Sequence, residues 1–210
     1  MSEKIKIIFL GTSDSVPSAK RNHPAFLLVY QGENILVDCG EGTQRQFRKA
    51  KINPCNLTKL LITHWHGDHI LGIPGLLQTL ALNGYSKELD IVGPRGTKQF
   101  LDSILNMFVF IGKIKLKVYE IEKPGIFFDD DFILEAYPLR HGAPCLAYIF
   151  REKDKRKIEM NKIKKLGIVG KEIGFLQNGG SVKIKDRIII PEQVSYIKKG
   201  KKISIVLDTS

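Results

Sequence analysis

The stretch LLITHWHGDHILG, residues 60–72, constrains this chain more than any other. An apolar run ends at Ile62, and four side chains able to ligate a metal follow at His64, His66, Asp68 and His69 before an apolar segment resumes. Three of the 5 histidines in the chain stand here. Imidazole and carboxylate donors with no thiolate suit a borderline cation such as Zn²⁺, with Mn²⁺ or Fe as other candidates. His64 and His66 alternate along an extended backbone, so both can turn inward. Asp68 and His69 follow Gly67, where the chain bends and can present donors to a second centre. Four such side chains in one loop point to two metals sharing a bridging water. The bland alternative is a hydrogen-bonded histidine cluster capping a strand, which would crowd imidazoles beside a carboxylate with no cation between them.

Two further residues complete a consistent set. His141 in PLRHGAPC follows the apolar strand FILEAYPL, and Asp208 in IVLDT follows ISIVL. Strand ends are where a layered α/β fold places its site. Asp38 in ILVDCGEGTQ can accept hydrogen bonds from a neighbouring loop and orient a ligand's imidazole; as an ordinary turn aspartate it would do neither. His23, beside Pro24, reads as a loop histidine outside the donor set.

Hydropathy patterning gives the frame. IKIIFL reads as a strand, AFLLVYQGENILVDCG as a hairpin turning at Gly32-Glu33-Asn34, and EGTQRQFRKAKI as a helix. KLLIT is a buried strand, THWHGDH a loop leading into a helix near 70–82, and ELDIVG a strand. Pro94-Arg95-Gly96-Thr97 opens a helix near 97–108. Strands follow at KLKVYEIE, FILEAYPL and CLAYIFRE. Helices and strands that alternate early, with several hairpins, predict a layered α/β fold with mixed sheets. REKDKRKIEMNKIKKLG predicts a charged helix, the next segment is glycine-rich and then strand-like, and ISIVLDT is a final strand.

Composition narrows the partners. With 43% apolar and 26% charged residues, the chain is an ordinary globular sequence. No apolar run approaches the roughly 20 residues that span a bilayer, and MSEKIKIIFLGTSDS lacks a secretory core. Three cysteines with no Cys-x-x-Cys pair fit a reducing cytoplasm and argue against a disulfide framework. The net charge of +11 is segregated: residues 151–202 hold 16 Lys and Arg against 6 Asp and Glu, a net of +10. Such a field suits a polyanion, although a solvated lysine-rich face has the same composition.

At this point the residues match a known family. THWHGDH resembles the His-x-His-x-Asp-His signature of the metallo-β-lactamase fold. FLGTSDSVPSAKRN and DCGEGTQRQ resemble the opening of the tRNase Z family, endonucleases that remove the 3′ trailer from precursor tRNA. The resemblance runs through residues 1–210, strongest over 8–72 and around 141 and 208, weakest over 151–200. It implies an αβ/βα sandwich with two Zn²⁺ per subunit, Mn²⁺ being possible. His64, His66 and His141 would hold the first, Asp68 and His69 the second, and Asp208 would bridge them. It also implies attack on phosphorus by a water that Asp68 orients or deprotonates, leaving a tRNA with a 3′-hydroxyl.

The family's flexible tRNA-gripping arm, its exosite, corresponds to about 151–200. Lys153, Lys155, Arg156, Lys157, Lys162, Lys164 and Lys165 are thus the candidate RNA contacts. A cytoplasmic homodimer is implied as well. Gly170-Lys171-Glu172 stands where the arm often carries Gly-Pro, and Ala147-Tyr148 where Gly-Tyr is usual. The family continues past the bridging aspartate with a further zinc histidine and a Glu/His pair that protonates the leaving oxygen, and no histidine follows His141 here. The expectation is therefore one domain over 1–210, C-terminally incomplete, with the first zinc site complete and the second short of a ligand. Such a chain, taken alone, is expected to be weakly active and weakly stable. The competing readings are a metallohydrolase of small phosphodiesters and a non-catalytic tRNA-binding module.

Overall fold

The computed structural model describes residues 4–109, 114–184 and 187–210. β1 (Lys6–Gly11), β2 (Ala25–Tyr30) and β3 (Glu33–Val37) form an antiparallel meander. Tyr30 pairs with Glu33, so the β2–β3 turn consists of Gln31 and Gly32, with φ of 50° and 85°. Two left-handed residues in a two-residue loop match the twist of the flanking strands. That is why Glu33 and Asn34, read from sequence as turn residues, instead open β3.

Beyond β3 the pairing changes direction. α1 (Thr43–Lys49) leads to β4 (Lys59–Leu61), then α2 (Gly67–Ile70), α3 (Ile73–Leu82), β5 (Glu88–Pro94), α4 (Thr97–Met107) and β6 (Lys115–Ile121). β3, β4, β5 and β6 pair in parallel, which completes a mixed sheet in the order β1-β2-β3-β4-β5-β6. On one face, Leu27, Leu36, Leu60 and Ile91 pack with Phe47 of α1, Leu76 and Leu80 of α3 and Leu101 of α4. The central strand β4 is buried throughout, as expected of a parallel strand with both faces covered. Lys59, only 6% exposed, survives there because Glu33 and Asp90 on the flanking strands lie 3.2 and 3.6 Å from its Nζ.

β7 (Gly125–Asp129), β8 (Phe132–Leu139) and β9 (Cys145–Glu152) follow. β7, GIFFD, lay unrecognised between two stronger strand signals. The chain then divides into two compact units: Met1–Gly125 with Glu135–Tyr148 and Ile205–Ser210, and Ile126–Leu134 with Ile149–Ser204. The sequence drew an inserted arm at about 151–200; the second unit encloses that span.

Within the second unit, β10 (Lys155–Ile158) comes before α5 (Met160–Lys165) and α6 (Lys171–Gln177). β11 (Val182–Ile184) and β12 (Arg187–Ile189) form a hairpin, followed by α7 (Pro191–Val194) and β13 (Ser195–Lys198). Ile163, Ile168, Leu176, Val182, Ile189 and Val194 make its core. The charged helix expected over 151–167 is thus a correction: only Met160–Lys165 is helical there. Lys155–Ile158 pair antiparallel with β13, and the Arg156 guanidinium donates to Ser195 Oγ at 2.9 Å and Glu192 at 2.9 Å. Long-range pairing overrides a weak helical preference.

β14 (Lys202–Ile205) joins a four-stranded sheet in the order β14-β9-β8-β7. It ends at Ile205, so Asp208 lies three residues past the strand rather than directly after it. Among the described residues no helix is long and apolar enough to cross a membrane.

Tyr148 on β9 is fully buried and donates its hydroxyl to the Ile62 carbonyl at 2.7 Å, with the Val92 carbonyl at 3.2 Å. Tyr148→Phe removes the hydroxyl donor to the Ile62 carbonyl, while the Val92 carbonyl keeps the Ile62 N–H, and is expected to cost about 1–2 kcal/mol, read as a lower urea midpoint at unchanged m-value.

Candidate metal centre

The centre begins with a carboxylate at the end of β3. Asp38 has a φ of 54°, a left-handed conformation that aspartate tolerates better than most residues. Its side chain is fully buried and accepts from the Thr63 N–H at 2.7 Å, the Thr63 hydroxyl at 2.7 Å and His69 Nδ1 at 2.6 Å. Thr63 has one hydroxyl proton and gives it to Asp38. His64 Nδ1, 3.1 Å from that hydroxyl oxygen, must therefore be the donor in its own hydrogen bond. This leaves Nε2 of His64 as a bare lone pair facing the centre, and Nε2 of His69 likewise whenever that ring is neutral. One aspartate thus sets two tautomers, directly for His69 and through Thr63 for His64.

The backbone seats the loop as firmly. Cys39 N donates to the His69 carbonyl at 2.7 Å and Gly72 N to the Cys39 carbonyl at 2.8 Å. The chains approach so closely that a Cβ on Gly72 would stand 2.0 Å from the Gly40 carbonyl oxygen, and one on Gly40 would stand 2.5 Å from that of Asp68. Trp65 turns opposite to His64 and His66: its indole N–H donates to Thr97 Oγ1 at 2.9 Å and its ring packs on Phe100 with centroids 5.0 Å apart. The inward–outward alternation read from sequence is present. Asp68 and His69, read as loop residues, lie instead on the one-turn helix α2.

The donors converge in two groups. His64, His66 and His141 offer ring nitrogens that lie within 4.8 Å of one another, as do the ligand atoms of His64, His69 and Asp208. His66 Nδ1 stands 3.0 Å from His64 Nε2 and 3.2 Å from His141 Nε2. With His64 Nε2 bare, a single proton on His66 cannot serve both contacts, whereas a cation satisfies all three nitrogens. Asp208 turns one oxygen toward His64 Nε2 at 3.9 Å and the other toward His69 Nε2 at 3.7 Å. Asp68 Oδ2 is 3.3 Å from His69 Nε2. Burial, reinforced by the neighbouring imidazoles of His69 and His66, pushes the pKa of His64 down to about 4. His64 is therefore neutral, as a metal ligand must be. Burial works to lower His69 as well, but the hydrogen bond and charge of Asp38, with Asp68 and Asp208, hold it above the ordinary imidazole value. The donor set fits one or two divalent cations.

His23 joins neither group; its Nε2 lies 3.3 Å from the Ser15 carbonyl. Thr63 is the site residue the sequence reading missed, and its place immediately before His64 was the available signal. Of the candidate RNA contacts, Lys153 pairs with Asp129 at 2.6 Å, Arg156 with Glu192 at 2.9 Å and Lys162 with Glu159 at 2.5 Å. Lys155, Lys164 and Lys165 are exposed and Lys157 is half-buried.

Comparison with known proteins fits this geometry. Ribonuclease Z of Methanothermobacter thermautotrophicus is 41% identical over 207 residues, covering 98% of this chain and 67% of the relative. The chain belongs to the ribonuclease Z family. The Methanocaldococcus jannaschii ribonuclease Z is 44% identical over 195 residues, 90% of this chain and 62% of its own length. The chain thus spans less than two thirds of that relative. Human tRNase Z, short form, superposes with a TM-score of 0.65 at 34% identity, over 70% of this chain and 64% of that one. The metallo-β-lactamase fold protein YhfI from Bacillus subtilis, 18% identical with a TM-score of 0.57 over 70% of this chain and 57% of its own, shares the fold. A family model described as anti-Pycsar protein Apyc1 matches residues 5–106. The mixed-sheet α/β architecture of this ribonuclease Z family member is the metallo-β-lactamase fold expected from THWHGDH.

Asp38→Ala strands the Thr63 N–H and hydroxyl and releases both imidazoles. It is expected to cost about 2–4 kcal/mol in the metal-free protein, by denaturant titration. Metal affinity is expected to fall roughly 10- to 100-fold, by competition with a chromophoric chelator.

Proposed function

We propose that this chain is the metal-centre portion of a tRNA 3′-processing endoribonuclease, cleaving precursor tRNA to leave a 3′-hydroxyl on the tRNA and release the trailer. The observation that carries the reading is the convergence of His64, His66, His141, His69 and Asp208 from separate parts of a ribonuclease Z family chain. The residues that would hold Zn²⁺, with Mn²⁺ as the other candidate, are His64, His66 and His141 at one position and Asp68 and His69 at the next, with Asp208 between. Bound there, divalent cations supply Lewis-acid polarisation of a phosphodiester and acidify water.

The protein's own residues do the rest. Asp38 and Thr63 fix the ligand imidazoles so that their lone pairs point at one place before any substrate arrives. Asp68 offers Oδ2 as the acceptor for the proton of an attacking water. The second unit, with its concentrated positive charge, supports the substrate assignment: Lys153, Lys155, Arg156, Lys157, Lys162, Lys164 and Lys165 would meet phosphates of a folded RNA. Lys153, Arg156 and Lys162 are paired with Asp129, Glu192 and Glu159, so part of their charge is already neutralised within the unit. The single-domain reading with an inserted arm, a homodimeric assembly and a cytoplasmic setting belong to the same proposal. Free Cys39, Cys55 and Cys145 fit a reducing compartment.

Incubation of the full-length enzyme that contains this chain with a trailer-bearing precursor tRNA and added Zn²⁺ or Mn²⁺ is expected to give one cut at the junction of tRNA body and trailer, abolished by His64→Ala, with residues 1–210 alone cutting only weakly. Absence of that cut overturns the assignment, and turnover of a chromogenic phosphodiester without it favours a small-substrate hydrolase. Lys164→Ala with Lys165→Ala is expected to weaken precursor binding and to flatten the plot of log affinity against log salt by about 0.7–0.9 for each phosphate no longer neutralised, measured by filter binding.

A further inference from the structure

A cavity of about 530 Å³ opens beside the donor cluster. His66, Asp68, His69 and Asp208 form one wall, and its floor is apolar, built from Phe9, Pro24, Ala25, Phe26 and Leu207. Phe9 is the unusual member. It is the fourth residue of β1, and it is 69% exposed although it stands on a strand beside the donor cluster. Phe9 is cross-strand partner to Phe26, which is 9% exposed, and their ring centroids are 6.0 Å apart at an interplanar angle of 46°. Phe9 thus has a tilted contact with a buried aromatic while most of the residue is open to solvent.

The rim is held in place before any ligand arrives. Ser13 N donates to the Asn22 carbonyl at 2.8 Å, and Ser13 Oγ to the Val16 carbonyl at 2.9 Å. Asn22 in turn donates from Nδ2 to the Glu41 carbonyl at 2.6 Å, beside α1. His23, outside the donor groups, reaches the Ser15 carbonyl from within the fold. A cavity with a fixed polar rim, an aromatic floor and a metal-ligating wall is built for a flat apolar group attached to something the metal centre holds.

We propose that this cavity seats a nucleobase flanking the scissile phosphate, stacked on the ring of Phe9. The inference rests on the phosphodiesterase reading above and deepens it by assigning a positioning residue. The volume lies in the range of about 300–1,000 Å³ that small-molecule sites occupy, ample for a single nucleoside. Stacking on an aromatic face accepts any of the four bases, so Phe9 sets where the strand lies over the donors without demanding a sequence. The base adjoining the phosphate must leave its helical stack to reach the cavity, so the structure assigns this role to a single-stranded nucleotide at the junction.

The test pairs Phe9→Ala and Phe9→Trp with precursors carrying an abasic nucleotide immediately 5′ or 3′ of the cleavage site. Phe9→Ala is expected to lower kcat/KM roughly 10- to 100-fold, with Phe9→Trp restoring it and metal content unchanged. One of the two abasic substrates is expected to cost the unaltered enzyme the same factor, and to cost the Phe9→Ala enzyme nothing further. Equal abasic penalties in both enzymes, or no effect of Phe9→Ala, overturn the proposal while leaving the nuclease assignment standing. Binding gives a readout that does not need cleavage: a short RNA with 2-aminopurine at that position is expected to be quenched by the unaltered protein and not by Phe9→Ala. Should no precursor be cut, the function fails on its own, and equal 2-aminopurine fluorescence with both proteins sinks the stacking as well.

Discussion

The buried carboxylate of Asp38 is the interaction on which the site depends. A carboxylate inside a protein is costly unless its oxygens are fully bonded, and here three donors converge on it from the loop that carries the histidines. Its function at the site follows from simple proton counting. Thr63 has a single hydroxyl proton, His69 a single Nδ1 proton, and both go to Asp38, so the imidazole lone pairs are pre-aimed without any residue touching the metal position from outside. The left-handed backbone at Asp38 is what makes this possible, since it turns the carboxylate across from β3 toward Thr63 and His69.

The sheet supplies the platform. Val37, Leu61 and Val92 stand level on the parallel strands β3, β4 and β5; β3 and β4 end there, while β5 runs two residues further to Pro94. Asp38 N still reaches the Leu61 carbonyl at 2.9 Å and Ile62 N the Val92 carbonyl at 2.7 Å, so the ladder continues a step past each strand. Beyond that step the chains separate and the side chains that bear the chemistry face each other. The Tyr148 hydroxyl donates to the Ile62 carbonyl at this point, and Leu146 N bonds to Thr63 O at 2.8 Å. The histidine loop is therefore pinned on several sides by groups outside the donor set.

Most of the fold was legible from short-range pattern. Apolar runs announced β2, β3, β5, β8 and β9, and the dense donor spacing of THWHGDH announced the centre, because both signals are local. His141 and Asp208 were legible for a coarser reason, each sitting just beyond an apolar strand. What escaped depended on distant partners. Lys155–Ile158 has the composition of a helix and becomes a strand only because β13 offers it a ladder. GIFFD is too short to stand out without β8 beside it, and the turn at Gln31-Gly32 follows from a register that residues 30 and 33 set jointly. Thr63 has no distinctive chemistry until Asp38, 25 positions earlier, is brought within 2.7 Å.

The backbone contacts between Gly40 and Gly72 carry one last consequence. Where peptide groups touch with no side chain between them, the separation of the two segments is fixed by van der Waals radii rather than by whichever residues happen to pack there. The end of the histidine loop at Gly72 is therefore set against the end of β3 by that non-bonded backbone contact. Substitutions in the surrounding core can soften or stiffen the protein, yet they have little leverage over the distance between the histidine loop and β3. Those two small residues act as the gauge blocks of the site.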